Sequence, residues 1–153
     1  MTRDPTVRVA TIADAKAMDA INRKCLPENY PISEWESILK MMPKFSFVAT
    51  VDGEIVGYCL CIINFDSAVI ASIAVEEGYR SRGIGRKLLQ QTIDNISQIS
   101  RISYVTLNVR VSNITAQNLY NKIGFHKWRL IRKYYQDGED AFLMRKLLQS
   151  STT

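Results

Sequence analysis

Arg80-Ser81-Arg82-Gly83-Ile84-Gly85-Arg86 follows an apolar run, Val69 to Val75, and opens a helix-patterned segment ending near Ile99. A strand, a Gly-rich turn with three arginines and a helix start together suit a diphosphate. The first N–H groups of a helix have no intrahelical partner, and its dipole is positive at that end. Glycine lets the backbone approach a ligand where a Cβ would collide. Arginine adds forked donors matched to phosphate oxygens. An ordinary basic surface turn has the same composition, and these seven residues leave both readings open.

Upstream, Val7 to Ala10 reads as a short strand. Thr11 and Asp14 have capping-box spacing ahead of Ala15, Met18, Ile21 and Cys25, which fall on one helix face. Pro27 and Pro31 bracket an irregular loop, Leu26 to Ile32. Ser33 and Glu36 form a second capping box, starting a helix with Trp35, Ile38, Leu39 and Met42 inward and ending at Pro43. Phe45 to Val51 and Glu54 to Ile63 are strands joined at Asp52-Gly53, a strong hairpin signal. Asp66 to Val75 is a further strand, apolar on both faces towards its end and so central.

Beyond the Gly turn, Ile84, Leu88, Thr92 and Ile96 form one helical row. Ile102 to Val109 is β-rich. Asn113 caps a helix carrying Leu119, Tyr120 and Ile123, and Gly124 suits its stop. Phe125 to Ile131 and Asp140 to Leu147 close the chain as strands, with Gln136-Asp137-Gly138 as their turn. The predicted order is β-α-α-β-β-β-α-β-α-β-β, an α/β fold that mixes an antiparallel meander with one βαβ unit around the Gly turn. A ligand belongs at the carboxyl ends of the central parallel strands. Residues 1–148 read as one domain and Gln149 to Thr153 as a loose tail.

The composition bounds the function. The 153 residues suffice for one domain, and 46% hydrophobic with 23% charged residues is an ordinary globular balance. A net charge of +5 favours an anionic ligand or partner: nucleic acid, a phosphorylated cofactor or an acidic peptide. The basic-aromatic run from Arg129 to Tyr135 is short and followed at once by Asp137, Glu139 and Asp140, which argues against nucleic acid as the primary partner. No apolar stretch approaches the roughly 20 residues of a membrane span, and no apolar signal core follows Met1-Thr2-Arg3-Asp4-Pro5. A cytoplasmic, membrane-free protein is expected. Three cysteines fit a reducing compartment. Cys59 and Cys61 face one side of a strand as small buried hydrophobes, and with His126 the single histidine no metal-ligand set is expected.

Two other Gly-turn families fail on spacing. A Walker loop needs Lys and then Ser or Thr after its second Gly, where this chain has Arg86, Lys87 and Leu88. A Rossmann turn comes early and carries a third Gly, where this chain has Leu88 in a mid-chain turn.

Arg80-Ser81-Arg82-Gly83-Ile84-Gly85 resembles the Arg/Gln-x-x-Gly-x-Gly/Ala signature of the GCN5-related N-acetyltransferases (GNAT). Ser72-Ile73-Ala74-Val75 before it and Asn113…Leu119-Tyr120…Gly124-Phe125 after it extend the likeness. Leu26-Pro27-Glu28-Asn29-Tyr30 and Lys133 to Ala141 resemble protein N-terminal acetyltransferases, nearest the archaeal enzymes and the NatA catalytic subunit. The bacterial ribosomal-protein-alanine acetyltransferases are similar but more distant. The resemblance spans about Val7 to Leu148.

The resemblance implies a mixed, mostly antiparallel sheet whose parallel central strands splay apart, with acetyl-CoA as cofactor. Its pantetheine would pair with the backbone of Ile73, Ala74 and Val75, and its diphosphate with Arg80, Ser81, Arg82, Gly83, Ile84, Gly85 and Arg86. Asn113 is either a cofactor contact or a plain N-cap. Glu28 is the implied base, against a solvated loop glutamate. Tyr120 is the implied acid near the sulfur, against a core tyrosine.

Leu26, Pro27, Glu28, Tyr30, Asn108, Tyr134 and Tyr135 would line the acceptor groove. Because adjacent residues of a strand face opposite sides, only one of Tyr134 and Tyr135 is expected to meet the acceptor. Val69 and Asn108 stand where relatives carry groups that help take the proton; neither can, so the base role concentrates on Glu28 or ordered water.

The implied acceptor is a protein or peptide N-terminus beginning with Ser, Ala, Thr or Met. Ribosome proximity and an auxiliary subunit accompany that reading. A small amine as acceptor, or an acyl-CoA-binding sensor without catalysis, are the alternatives.

Overall fold

The computed structural model describes residues 4–148. The expected order holds: β1 (Thr6–Val9), α1 (Ala15–Cys25), α2 (Ile32–Met41), β2 (Phe47–Val51), β3 (Glu54–Asn64), β4 (Ser67–Val75), α3 (Ile84–Ile96), β5 (Tyr104–Arg110), α4 (Ile114–Ile123), β6 (His126–Ile131) and β7 (Ala141–Leu147). Short 3-10 turns at Ile12–Asp14 and Glu77–Tyr79 precede α1 and α3. The expected tail, 149–153, lies outside the described residues. None of the described helices is long and apolar enough to cross a membrane.

Among the described residues seven strands share one sheet in the order β1-β2-β3-β4-β5-β7-β6. Its one parallel pair is β4 with β5; every other neighbour is antiparallel. β7 lies between β5 and β6, so the hairpin that closes the chain folds back against β5.

The two faces have separate cores. On one, Ile84, Leu88 and Ile93 of α3 pack with Cys59, Ile70, Val105 and Leu107 of the sheet. On the other, Met18 and Ile21 of α1 and Trp35 and Leu39 of α2 pack on Val48, Tyr58 and Leu60. Alternation along a strand supplies both layers from one chain segment: Cys59 and Cys61 go to the α3 side, Tyr58 and Leu60 to the other. Burial pushes the Cys59 thiol up to about 12, so it behaves as a small apolar group.

The first capping box forms. The Thr11 N–H donates to Asp14 Oδ2 at 2.8 Å, and Arg8 forks onto both Asp14 oxygens at 2.8 and 2.9 Å. The second does not: α2 starts at Ile32 with Pro31 as its N-cap, so Ser33 lies inside the first turn. Pro31 sits extended at φ −60°, ψ 148° and its carbonyl takes the Glu34 N–H at 2.9 Å, work a serine cap would otherwise do.

Candidate active site

Pairing of β4 with β5 runs from Ser67↔Tyr104 to Ile70↔Leu107 and stops there. Beyond it β4 continues to Val75 alongside β3, and β5 continues to Arg110 alongside β7. The two strands part at a bulge, where Leu60 opposes Ser72 and Cys61 opposes Ile70, leaving Ala71 as the extra residue. In an antiparallel ladder alternate residues turn their backbone groups to the partner. Glu76 N–H donates to Val56 O at 2.8 Å, so Ala74 and Ser72 serve β3 and the odd residues face the gap. Ile73 and the N–H of Val75 therefore form the edge open to an extended, amide-bearing chain. Ala74 does not pair with it; its backbone is taken by Tyr58.

The diphosphate turn closes the same end of β4. Arg80 Nε donates back to Val75 O at 2.9 Å, so this arginine ties off its own strand instead of reaching out. Arg82 stacks on Tyr79, 5.2 Å from the ring centre. Gly83 caps α3 at φ +77°, a backbone region that L side chains strain to adopt, and it carries no side chain to bond the helix N–H groups. The first helical bond there is Lys87 N–H to Gly83 O at 3.0 Å, so the amides of Ile84, Gly85 and Arg86 lie ahead of the ladder. A free β edge followed by an uncapped helix N-terminus fits the pantetheine and diphosphate of acetyl-CoA in turn. Across the gap, Asn113 Oδ1 accepts from Ala116 N–H at 3.1 Å; its N-cap role is the one the structure shows.

Two loops wall the gap. The α1–α2 loop is pinned from below: Tyr30 donates its hydroxyl to the bulge carbonyl of Ala71 at 3.2 Å, and Asn29 Nδ2 donates to buried Asn22 Oδ1 at 2.9 Å. Asn22 Nδ2 in turn donates to Tyr58 Oη at 3.0 Å, and Tyr58 lies 2.7 Å from Ser72 Oγ. This buried polar chain holds Leu26, Pro27 and Glu28 over the splay. The β6–β7 loop forms the facing wall.

Arg110, the last residue of β5, joins them. Its guanidinium pairs with Glu28 of the first loop, and with Asp137 at 2.8 Å and Glu139 at 2.9 Å of the second. Its flat face lies 4.1 Å over the Tyr135 ring. Glu139 also accepts from Ser112 N–H at 2.9 Å, and hydrogen bonds from Ser112 and then Arg110 hold its carboxyl below the ordinary range. Gln117 Nε2 donates to the carbonyls of Arg110 and Val111, both at 3.0 Å, and so fixes the strand end from α4. Neither Arg110 nor these acids were singled out in the sequence. Gln136-Asp137-Gly138 reads as a turn with Glu139 beside it, and nothing local marks a carboxylate there as a partner of a strand end.

Tyr134 and Tyr135 correct a second expectation. They lie in the loop beyond β6, where Lys133 at φ +51° breaks the extended alternation. The rings meet edge to face at 4.9 Å, and both reach side chains of the β5 end. Tyr134 Oη accepts from Asn108 Nδ2 at 3.1 Å, while Tyr135 lies under Arg110. Asn108 Oδ1 is buried with no hydrogen-bond partner among the described residues. Asn108 stands one residue past the last β4–β5 pair, whereas Val69 lies below the splay, opposite Thr106.

Tyr120 is 8% exposed and packs on Phe125 with ring centres 6.1 Å apart. Burial pushes its phenol far above the ordinary value near 10. Among the described residues no cation offsets this, so the group keeps its proton. Burial likewise pushes Tyr135 up to about 12.

Residues 15–125 match the acetyltransferase (GNAT) family. The chain is 41% identical over 150 residues to an N-alpha-acetyltransferase of Sulfurisphaera tokodaii, covering 90% of each. It is 38% identical over 149 residues to NAA10, the catalytic subunit of the N-terminal acetyltransferase A complex of Arabidopsis thaliana, covering 94% of this chain and 78% of that protein. The crystal structure of Ard1 from Thermoplasma volcanium has the same fold, with a TM-score of 0.87 at 26% identity over 95% of this chain and 98% of that one. The chain belongs to the GNAT family; it is an acyltransferase whose donor is acetyl-CoA.

Proposed function

We propose that this chain is an N-alpha-acetyltransferase, acting on the free α-amine of protein or peptide N-termini. One observation carries the reading. Glu28, Asn108, Tyr134 and Tyr135 come from three separate segments and meet where β4 and β5 part. The names of the relatives agree with it. The two loops flank the parting of β4 and β5 and are joined there by Arg110, an arrangement suited to receiving an extended chain end, which a small amine does not require.

Bound acetyl-CoA supplies the thioester that a neutral amine attacks. An α-amine has a pKa near 7.7–8.0 against about 10.4 for lysine, so an N-terminus needs only a modest base. Arg110 takes Glu28 Oε1; the second carboxylate oxygen is the proposed proton acceptor, through water. The unpartnered Oδ1 of Asn108 accepts an N–H of the incoming amine and orients it. Tyr120 holds its O–H toward the leaving sulfur. Ile73, Val75 and the amides after Gly83 hold the cofactor.

The same reading places the enzyme in the cytoplasm, with acceptors beginning in Ser, Ala, Thr or Met. Because the NAA10 relative is the catalytic subunit of a complex, an auxiliary subunit and work near the ribosome belong to this proposal too. The test is mass spectrometry of a peptide library with free N-termini, incubated with acetyl-CoA. Acetylation confined to α-amines supports the reading. Acetylation of polyamines in preference to every peptide defeats it, and acetyl-CoA binding with no product indicates a sensor.

A further inference from the structure

We infer that the uncovered face of β5, β7 and β6 selects acceptors with acidic side chains a few residues beyond the N-terminus. The inference rests on the N-terminal acceptor reading above. Helices α1 and α2 bury residues of β2, β3 and β4, and none of β5, β7 or β6. That leaves a sheet face open beside the acceptor groove.

The face is cationic and pre-arranged. Arg145 lies 3.9 Å over the Trp128 ring and Arg129 lies 4.7 Å from it, while Tyr104 meets the same ring edge-on at 6.2 Å. Trp128 is the bulge residue of β6 and stays 38% exposed. Stacking on the indole fixes both guanidinium planes, so less freedom is lost when their N–H forks take a carboxylate. Among the described residues neither Arg129 nor Arg145 has an ion-pair partner.

The charge is also uncompensated. Residues 101–150 hold nine of the 20 Lys and Arg but only three of the 15 Asp and Glu. Those three acids look in the sequence as though they neutralise the adjoining basic run. In the structure they turn away: Asp137 and Glu139 onto Arg110, and Asp140 onto the Lys133 N–H at 2.9 Å. Arg110 stands on this face one row beyond Asn108, so the surplus is kept at its Arg129–Arg145 end.

Continuity selects the occupant. Asn108 pairs with Leu143, and Leu143 with Arg129, so Arg129 stands in the row of Asn108 two strands away. That is about 10 Å at the usual strand spacing. Thr106 pairs with Arg145 in the next row of the same face, about 7 Å along the strand. A chain whose first residue lies at Asn108 and which leaves over this face passes both arginines within roughly three to five extended residues. Its carboxylates at about positions four to six would meet them.

The test compares acceptor peptides that share their first three residues and carry Glu, Gln or Lys at positions four to six. In wild type the Glu series is expected to show kcat/KM about three- to tenfold above the Gln series, through KM with kcat unchanged, as exposed charge pairs allow. High salt should erase the difference. The pair Arg129→Glu with Arg145→Glu should invert the order and favour Lys, while activity on the Gln series and thermal midpoint stay near wild type. Should that pair fold poorly, Arg145→Gln alone should reduce the preference. Equal kcat/KM across the three series in wild type overturns the inference and leaves the acceptor reading standing. No acetylation of any peptide overturns both. Competitive inhibition by a short single-stranded RNA, relieved by the variants without any peptide preference, overturns it in favour of a nucleic-acid surface.

Discussion

Arg110 and Glu28 stand 82 residues apart in the chain and share a hydrogen-bonded ion pair across the mouth of the site. The same guanidinium holds Asp137 and Glu139, so one side chain couples the two loops that flank the proposed acceptor groove. A planar fork reaches three carboxylates from two sides; an ammonium on a flexible stem does not. Arg110→Lys keeps the charge and should still lose about ten- to a hundredfold in kcat/KM, with the larger part in the acceptor KM. Steady-state kinetics on one good acceptor peptide decide it, and wild-type values would show that the clamp does not shape the groove.

Glu28→Gln keeps the shape of the proposed base and removes its proton affinity. General base catalysis contributes typically 10²–10⁴-fold, so kcat should fall by about a hundredfold or more. The acetyl-CoA affinity of the variant, measured by calorimetry, should match wild type, because Glu28 lies on the acceptor side of the splay. Full activity in this variant would falsify the base assignment.

Tyr120→Phe separates the two roles left open for this tyrosine. Its phenol is raised by burial and stays protonated throughout the working range. The loss should therefore be independent of pH between about 6 and 9. Removing one hydrogen bond to a developing charge costs about 1.5–3 kcal/mol, or roughly ten- to a hundredfold in kcat. The packing on Phe125 survives in phenylalanine, so thermal stability should hardly change. An unaltered kcat assigns the ring to the core alone.

The pH profile of kcat/KM should be set by the acceptor amine. Asp137 and Glu139 are held below the ordinary carboxylate range, Asp137 chiefly by the Glu139 N–H and Glu139 by Ser112. The clamp on Arg110 accordingly persists as pH falls from 8 to 6. Rate should decline over that interval with a midpoint near the α-amine value of about 7.7–8.0. A midpoint that stays put when the acceptor's amine pKa is changed by its first residue would count against this account.

Asp14 offers a stability test away from the site. The Arg8 fork lowers its pKa, followed by the Thr11 N–H. A depressed carboxylate contributes stability that is full above its unfolded pKa near 3.9 and is lost as pH falls through the folded value. Asp14→Asn should therefore destabilise by about 2 kcal/mol at pH 7. Denaturant curves of the two proteins should begin to approach each other below about pH 4 and converge only once pH has fallen through the lowered folded value.

The chain's local chemistry made much of this legible in advance. The Gly83 turn, the Thr11–Asp14 box and the Asp52-Gly53 hairpin act over a few residues, and hydrophobic period separates strands from helices; no distant partner is needed for either. Glu28 as a base rests instead on the resemblance of its Pro-bracketed loop to N-terminal acetyltransferases; local chemistry leaves a solvated loop glutamate open. Tertiary structure alone decided that β7 enters between β5 and β6, which brings the β6–β7 loop over the end of β5. It also decided that Arg110 gathers Glu28, Asp137 and Glu139, that the two loop tyrosines meet Asn108 and Arg110, and that the acids beside the basic run turn away from β6. Those pairings join residues far apart in sequence. Ion pairs and stacked rings impose no periodicity on the chain that makes them, so only the assembled sheet shows which charges meet.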